Sequence, residues 1–381
     1  MSIDEAKKRL KKVPYYVEGE PPNCVPWQTE VDYLDPAWIK VVWGEQWGAQ
    51  GIGKLRRALV CYADDSEDSP EFAADPTFFG RLHGRPNIKK CRKEQEGAFK
   101  ALEEQGIKLD YLEHPTMEKT PWPGQLGPFG VPIKMITSAA TAFVINGGAI
   151  IPRRGVTFKI GAEVVVAKKL MEIGCPILHT VTGKGVCEIG ASAWLDFENW
   201  VIGVGAAENN WEMINQVRPV MEASGVKEIL TSSCGGAWGH KWGSNAYRWG
   251  HISWGHITES FNTVDLGLAI AYIPGLDYAF IGKLLQKGVD VIEVPEEEKS
   301  CLNLTIIEPG KIIMPVKKTK RPEQTLRALQ KEGVDVIEAD WDEMLVLGGG
   351  LHCGLGHLVR DMPGPSLKEL GGRKGKIIAT K

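Results

Sequence analysis

Cys353 is the residue of this chain best placed to act as a nucleophile. It lies in Gly348-Gly349-Gly350-Leu351-His352-Cys353-Gly354. Glycines without a Cβ let the backbone turn sharply and approach a ligand, so the run presents the thiol on a rigid support that stays open. The apolar stretch Met344-Leu345-Val346-Leu347 before it reads as a buried strand leading into the glycines. A thiol attacks as thiolate, which a neighbouring imidazolium stabilises; the same ring can protonate a leaving group and activate water, and a carboxylate can orient it. Histidines are concentrated in one tryptophan-rich segment. Trp-Gly-His occurs three times in it, at 238–240, 249–251 and 254–256. Those aromatic faces suit a flat, weakly polar ligand.

Five copies of one local pattern must position these groups. Each is an amphipathic segment, a glycine and a short β-rich run, with the glycine at Gly106, Gly174, Gly225, Gly288 and Gly333. A glycine there fits the left-handed position that ends a helix, and Leu326, Ala328 and Leu329 show the helical spacing that precedes it. Paired short strands fall between these segments, Thr141–Ile145 with Ala149–Pro152 and Leu304–Ile307 with Lys311–Val316, the latter across Glu308-Pro309-Gly310. The repeating unit is therefore ββαβ, at intervals of 45 to 68 residues. A purely parallel sheet would not need the hairpins. The expected fold class is α/β, a five-bladed α/β propeller of pseudo-fivefold ββαβ repeats. Residues 1–50, with Pro21, Pro22 and Pro26, read as an N-terminal arm, and residues 51–381 as one catalytic domain.

Composition narrows the function. The net charge of −3 over 381 residues gives no electrostatic reason to expect nucleic acid or an anionic membrane as partner. The most apolar stretch, Leu266–Leu276, is far shorter than the about 20 residues a bilayer requires. No secretory leader is evident, and the eight cysteines form no CxxC pair. A cytoplasmic protein with a small-molecule substrate, no metal and no cofactor is expected, and a homodimer is compatible with its many tryptophans. Gly183-Lys184-Gly185 reads as a turn between strands; Arg153-Arg154, at a strand end, could bind a carboxylate or nitro group, but a solvated pair is the expected reading.

The chain resembles the guanidine-modifying (amidinotransferase) superfamily over roughly residues 55–365. The Gly348–Cys353 run resembles the family's glycine-rich segment ending in His-Cys. His256-Ile257-Thr258 aligns with its His-x-Asp motif, Glu188-Ile189-Gly190-Ala191 with its Glu-x-Gly-Asp, and Ser138-Ala139 with its Arg-Asp pair. The resemblance implies a five-bladed propeller, Cys353 as nucleophile, His256 as acid/base and Glu188 as the carboxylate partner of the imidazole. It also implies substrate-facing positions at Ser138, Ala139, Ala191 and Thr258, with Trp254 and His352 beside them.

The departures from the pattern bear on the substrate. Where the family clamps a guanidinium with aspartates, this chain has Ala139, Ala191 and Thr258. A buried guanidinium without carboxylates would lose several kcal/mol. Glu259 follows Thr258, but strand alternation would turn it to the opposite face. A neutral planar molecule with an sp² carbon between nitrogens fits better. Among family members the arrangement resembles most those that displace nitrite from C2 of a 2-nitroimidazole. The alternatives are a deiminase or amidinotransferase that holds a guanidino compound through Glu259 or Asp265, and an inactive propeller acting as a binding module.

Overall fold

The computed structural model describes residues 34–63, 87–113, 139–155, 159–205, 209–233, 256–346, 349–370 and 373–380, with five positions among the first twelve. The proposed arm lies largely outside them, as do Ser138, Trp254 and all three Trp-Gly-His copies apart from His256. The last residues assigned to the arm pack into the body: Trp47 is fully buried, and Gly48 accepts a hydrogen bond from the Arg360 amide.

The hairpin–helix–strand unit recurs in five small sheets. The second sheet pairs β3 (Phe143–Ile145) antiparallel with β4 (Gly148–Ile151), and β4 runs parallel to β5 (Ile177–Thr180) across the helix Ala162–Glu172. The third repeats this with β6 (Ala193–Trp194), β7 (Asn199–Val204), the helix Trp211–Ala223 and β8 (Glu228–Ser233). In the fourth, β9 (Phe261–Asp265) and β10 (Leu268–Ala271) precede the helix Tyr278–Gln286 and β11 (Asp290–Glu293). In the fifth, β12 (Thr305–Glu308) and β13 (Lys311–Val316) precede the helix Glu323–Lys331 and β14 (Asp335–Asp340).

The first sheet is assembled from both ends of the chain. There β1 (Leu55–Val60) runs parallel to β2 (Lys108–Tyr111) across the helix Ile88–Glu104, while its antiparallel partner is β15 (Leu355–Arg360). A two-residue strand, β16 (Ile377–Ile378), extends the fourth sheet beside β11. It lies beyond the stretch covered by the family resemblance. Neighbouring units touch one another: β15 packs on β3, the helix Trp211–Ala223 on β5, β6 on β9, β9 on β12, and β12 on β1.

Local chemistry accounts for the helices and their ends. On Glu323–Lys331 the buried face is Thr325, Leu326, Ala328 and Leu329, while Arg327 and Gln330 face water. Burying each leucine contributes about 1.5–3 kcal/mol. All five junction glycines adopt positive φ, from 77° at Gly106 to 101° at Gly225, a conformation that side chains resist. No described helix is long and apolar enough to cross a membrane.

One element differs in kind from the sequence expectation. Asp342–Val346 is a short helix rather than a strand. Four consecutive apolar residues carry no period that separates the two. The acidic pair Asp342 and Glu343 in the first turn favours a helix N-terminus, and Met344 is buried while Leu345 and Val346 are half-buried.

Candidate active site

Cys353 sits on a tight turn, His352–Gly354, immediately before β15 rather than at the end of a strand. Buried anchors hold the approach to it. The Trp341 indole donates to the carbonyl of Gly349 at 3.0 Å. Asn303 braces the turn from the other side: its carbonyl accepts from the His352 amide (3.1 Å), its Oδ1 from the Cys353 amide (3.2 Å), and its Nδ2 donates to Cys353 Sγ at 3.2 Å. A Cβ on Gly350 would come within 2.3 Å of the Asn303 side chain, so the glycine allows this contact. Asn262 on β9 fixes the Asn303 loop by donating to the carbonyls of Leu302 and Leu304.

The thiol of Cys353 is half-buried, whereas Cys61, Cys91, Cys175, Cys187 and Cys301 are buried. Burial pushes Cys301 up to about 12 and Cys175 higher still. Those thiols stay protonated and inert. Among the described cysteines Cys353 alone is accessible, and the Asn303 amide donates to its sulfur.

His256 Nε2 lies 2.7 Å from Glu188 Oε2, and its Nδ1 lies 3.4 Å from Glu259 Oε1. Residues 257–259 form a 3₁₀ turn rather than a strand. Glu259 therefore folds back three residues onto His256 instead of facing away, which corrects the expectation from strand alternation. That turn packs against the 3₁₀ segment Glu296–Leu302, which leads directly into Asn303. His256 also bears electrostatically on His352. The imidazole and the cysteine turn thus belong to one cluster.

Glu188 is buried and holds more than the histidine. Arg154 and Lys159 both donate to its carboxylate, one to each oxygen, and Arg154 also reaches Thr141 Oγ1 at 3.1 Å. Arg154 is 2% exposed, so the expected solvated arginine pair divides: Arg153 faces solvent and Arg154 is part of the core. Asn209 orients the backbone here, its Oδ1 accepting from the Glu188 amide at 2.8 Å while its own φ is +59°. Asparagine is one of the few residues that adopt this conformation readily. The sequence reading missed Asn303, Arg154, Lys159 and Asn209, which act across loops without a local signature.

The positions matched to the aspartate clamp carry no carboxylate. Ala139, Ala191 and Thr258 are buried, and Thr258 Oγ1 has no partner among the described residues. The Ala139–Thr141 turn fits closely against Gly190, where a Cβ would lie 1.6 Å from the Ala140 carbonyl oxygen, and against Gly356. Asp265, the other carboxylate considered, lies at the end of β9, 3.5 Å from Arg373. Ser192 accepts from the Trp200 indole.

His352 packs edge-to-face on His357, with 5.4 Å between ring centroids. Burial, then the positive charges of Arg360 and His256, pull His352 from the ordinary 6.5 down to about 4. Burial, Arg360 and His352 hold His357 well below its ordinary value. Between those values the unfolded chain binds protons that the folded protein resists, so stability falls as the pH drops from 6.5 to about 4. His352 alone should account for on the order of 2–3 kcal/mol. Urea midpoints measured across that range check this; a flat profile contradicts it.

No protein-family model matches the sequence. Among curated proteins, the chain is 24% identical over 384 aligned residues to a 2-nitroimidazole nitrohydrolase of Mycobacterium sp. (strain JS330), covering 96% of this chain and 95% of that one. Among solved structures, a dimethylarginine dimethylaminohydrolase of Pseudomonas aeruginosa, complexed with citrulline, superposes with a TM-score of 0.57 at 16% identity, covering 79% of this chain and 98% of that one. SxtG, an amidinotransferase of Microseira wollei, gives 0.57 at 15% identity, covering 84% and 99%. The fold of this chain is that of the guanidine-modifying, amidinotransferase-type proteins, and along nearly its whole length its sequence is similar to a 2-nitroimidazole nitrohydrolase.

Proposed function

We propose that this protein is a cysteine-dependent hydrolase of a neutral, planar nitrogen heterocycle, with hydrolytic denitration of a 2-nitroimidazole as its reaction. One observation carries the reading: the site has no carboxylate at the positions matched to the family's guanidinium clamp, and Glu259 is turned onto His256. Its matched positions are alanine, alanine and threonine, and the Glu188 carboxylate already holds Arg154 and Lys159. With Glu188 and Glu259 set against Arg154, Lys159 and His256, the site carries no excess negative charge to hold a cationic substrate. The similarity to the nitrohydrolase supports the same chemistry.

In this reading the five sheets close radially into a five-bladed propeller around the site, in line with the contacts between neighbouring units. Cys353 Sγ forms a bond to C2, between the two ring nitrogens. The C2–nitro bond breaks, and nitrite leaves with the bonding pair. His256, oriented by Glu188, takes a proton from water as its oxygen attacks C2; the thiolate then departs and an imidazolone remains. Water supplies the oxygen, and the net products are imidazolone, nitrite and a proton. Nitrite is a good leaving group, so the first step needs little acid assistance. The buried free thiols support the cytoplasm as its compartment.

Incubation with 2-nitroimidazole should release nitrite by colorimetric assay, and Cys353→Ala should abolish the release while the variant keeps the wild-type Tm. Mass spectrometry should find an imidazole adduct on Cys353 in quenched reactions. Ammonia or citrulline formed from arginine, with no nitrite from the nitroimidazole, would instead establish a deiminase. Turnover of neither, with Cys353 inert to iodoacetamide at neutral pH, would establish a binding module.

A further inference from the structure

Behind the cysteine turn lies a cavity of about 40 Å³, bounded by residues from all five units together with the segment 49–52. Its lining is chemically one-sided. Seventeen described residues border it, none of them acidic, and Arg360 is the one charged side chain expected at neutral pH among them. Arg360 is 3% exposed. Its two terminal nitrogens donate to the carbonyls of Gly53 and Ile306, at 2.7 and 2.8 Å. No carboxylate among the described residues pairs with it, and its Nε has no hydrogen-bond partner. His352 Nδ1 and His357 Nε2, on the same wall, are likewise without partners.

An arginine withdrawn from water normally meets a carboxylate, because a lone buried charge is costly. Burial pulls this guanidinium down to about 9, which leaves it charged at neutral pH. Two carbonyl dipoles satisfy hydrogen bonds without balancing the charge. The histidines are held neutral, so each imidazole carries one N–H that can face an anion without adding a second cation. The rest of the wall is mostly small and apolar, including Ala140, Ala142, Val144 and Leu355. By volume the space holds a few water-sized groups, at about 10–15 Å³ each.

We propose that this cavity is a binding site for one small monovalent anion, of halide or nitrite size, with Arg360 as the counter-charge and His352 and His357 as neutral donors. The site is separate from the chemistry assigned to Cys353 and stands whether or not the protein denitrates a nitroimidazole. Because His352 also precedes the nucleophile, anion occupancy would stiffen the turn that carries the thiol.

Crystals of the full-length protein soaked in bromide should show an anomalous peak within hydrogen-bond distance of Arg360 Nε. Peaks confined to the molecular surface, together with no Tm response to nitrite, would overturn the proposal. In solution, millimolar bromide or nitrite should raise the Tm by several degrees at constant ionic strength, whereas sulfate, whose second charge Arg360 alone does not balance, should not. Equal responses to all three anions would count as screening alone and defeat the assignment. Arg360→Met should erase the bromide and nitrite effects, and its retention of them would also defeat it. Should that variant fail to fold, the wild-type soak still decides the question. A response to nitrite but not bromide would identify an oxyanion site, and the reverse a halide site.

Discussion

Replacing Glu188 by glutamine is expected to cost the protein about 3–5 kcal/mol, the penalty for breaking a buried ion pair from one side. The glutamine keeps the volume but leaves Arg154, fully withdrawn from solvent, and Lys159, nearly so, without the carboxylate to which both donate. His256 loses the carboxylate 2.7 Å from its Nε2 at the same time. Urea unfolding reads the first effect and nitrite release the second. A Glu188→Leu, Arg154→Met, Lys159→Met triple variant separates them. Removing all three charges together should restore most of the stability, since apolar replacement of a whole buried cluster is close to neutral, but not the activity. If Glu188→Gln unfolds at the wild-type urea concentration, the carboxylate is not the partner on which these cations depend.

The second large effect concerns Asn303. Its Nδ2 is the donor nearest the Cys353 sulfur among the described side chains, and hydrogen bonds to a charged group are worth about 1.5–3 kcal/mol. Asn303→Leu should therefore slow alkylation of Cys353 by iodoacetamide roughly 10–100-fold at neutral pH. Asn303→Asp tests the sign. A carboxylate against the sulfur should suppress alkylation further, while keeping the acceptor that binds the Cys353 amide. A Leu variant with unchanged alkylation would show that the asparagine merely braces the turn.

Much of the fold was legible because its signals are local. Each helix ends on a glycine that had to turn left-handed, and each following strand begins within three residues of it, so five junctions could be read one at a time. The hairpin at Glu308-Pro309-Gly310 was visible for the same reason. The run Met344–Leu347 was misread because four apolar residues satisfy strand and helix alike. β16 has only Ile377 and Ile378 to announce it. In the candidate site, Cys353 stood out through its glycines. Arg154 and Glu188, 34 residues apart, meet only through the folding of two units, and Asn303 reaches the cysteine turn from 50 residues away. Nothing in the neighbourhood of either residue predicts such a meeting. Glu259 was turned the wrong way because a strand was assumed where the backbone makes a single tight turn.

The pairing of β1 with β15 joins strands separated by about 300 residues of chain, and this has a consequence for biosynthesis. At about 5–20 residues per second, β1 leaves the ribosome roughly 15–60 seconds before its partner exists. Throughout that interval its outer edge is unpaired and exposed to other nascent chains or to chaperones. Cys353 is made two residues ahead of that closing strand, after Glu188, His256 and Asn303. The thiol therefore emerges last among the groups assigned to the chemistry, and the segment that seals the first sheet also completes the reactive centre, so a chain interrupted before residue 353 carries no nucleophile.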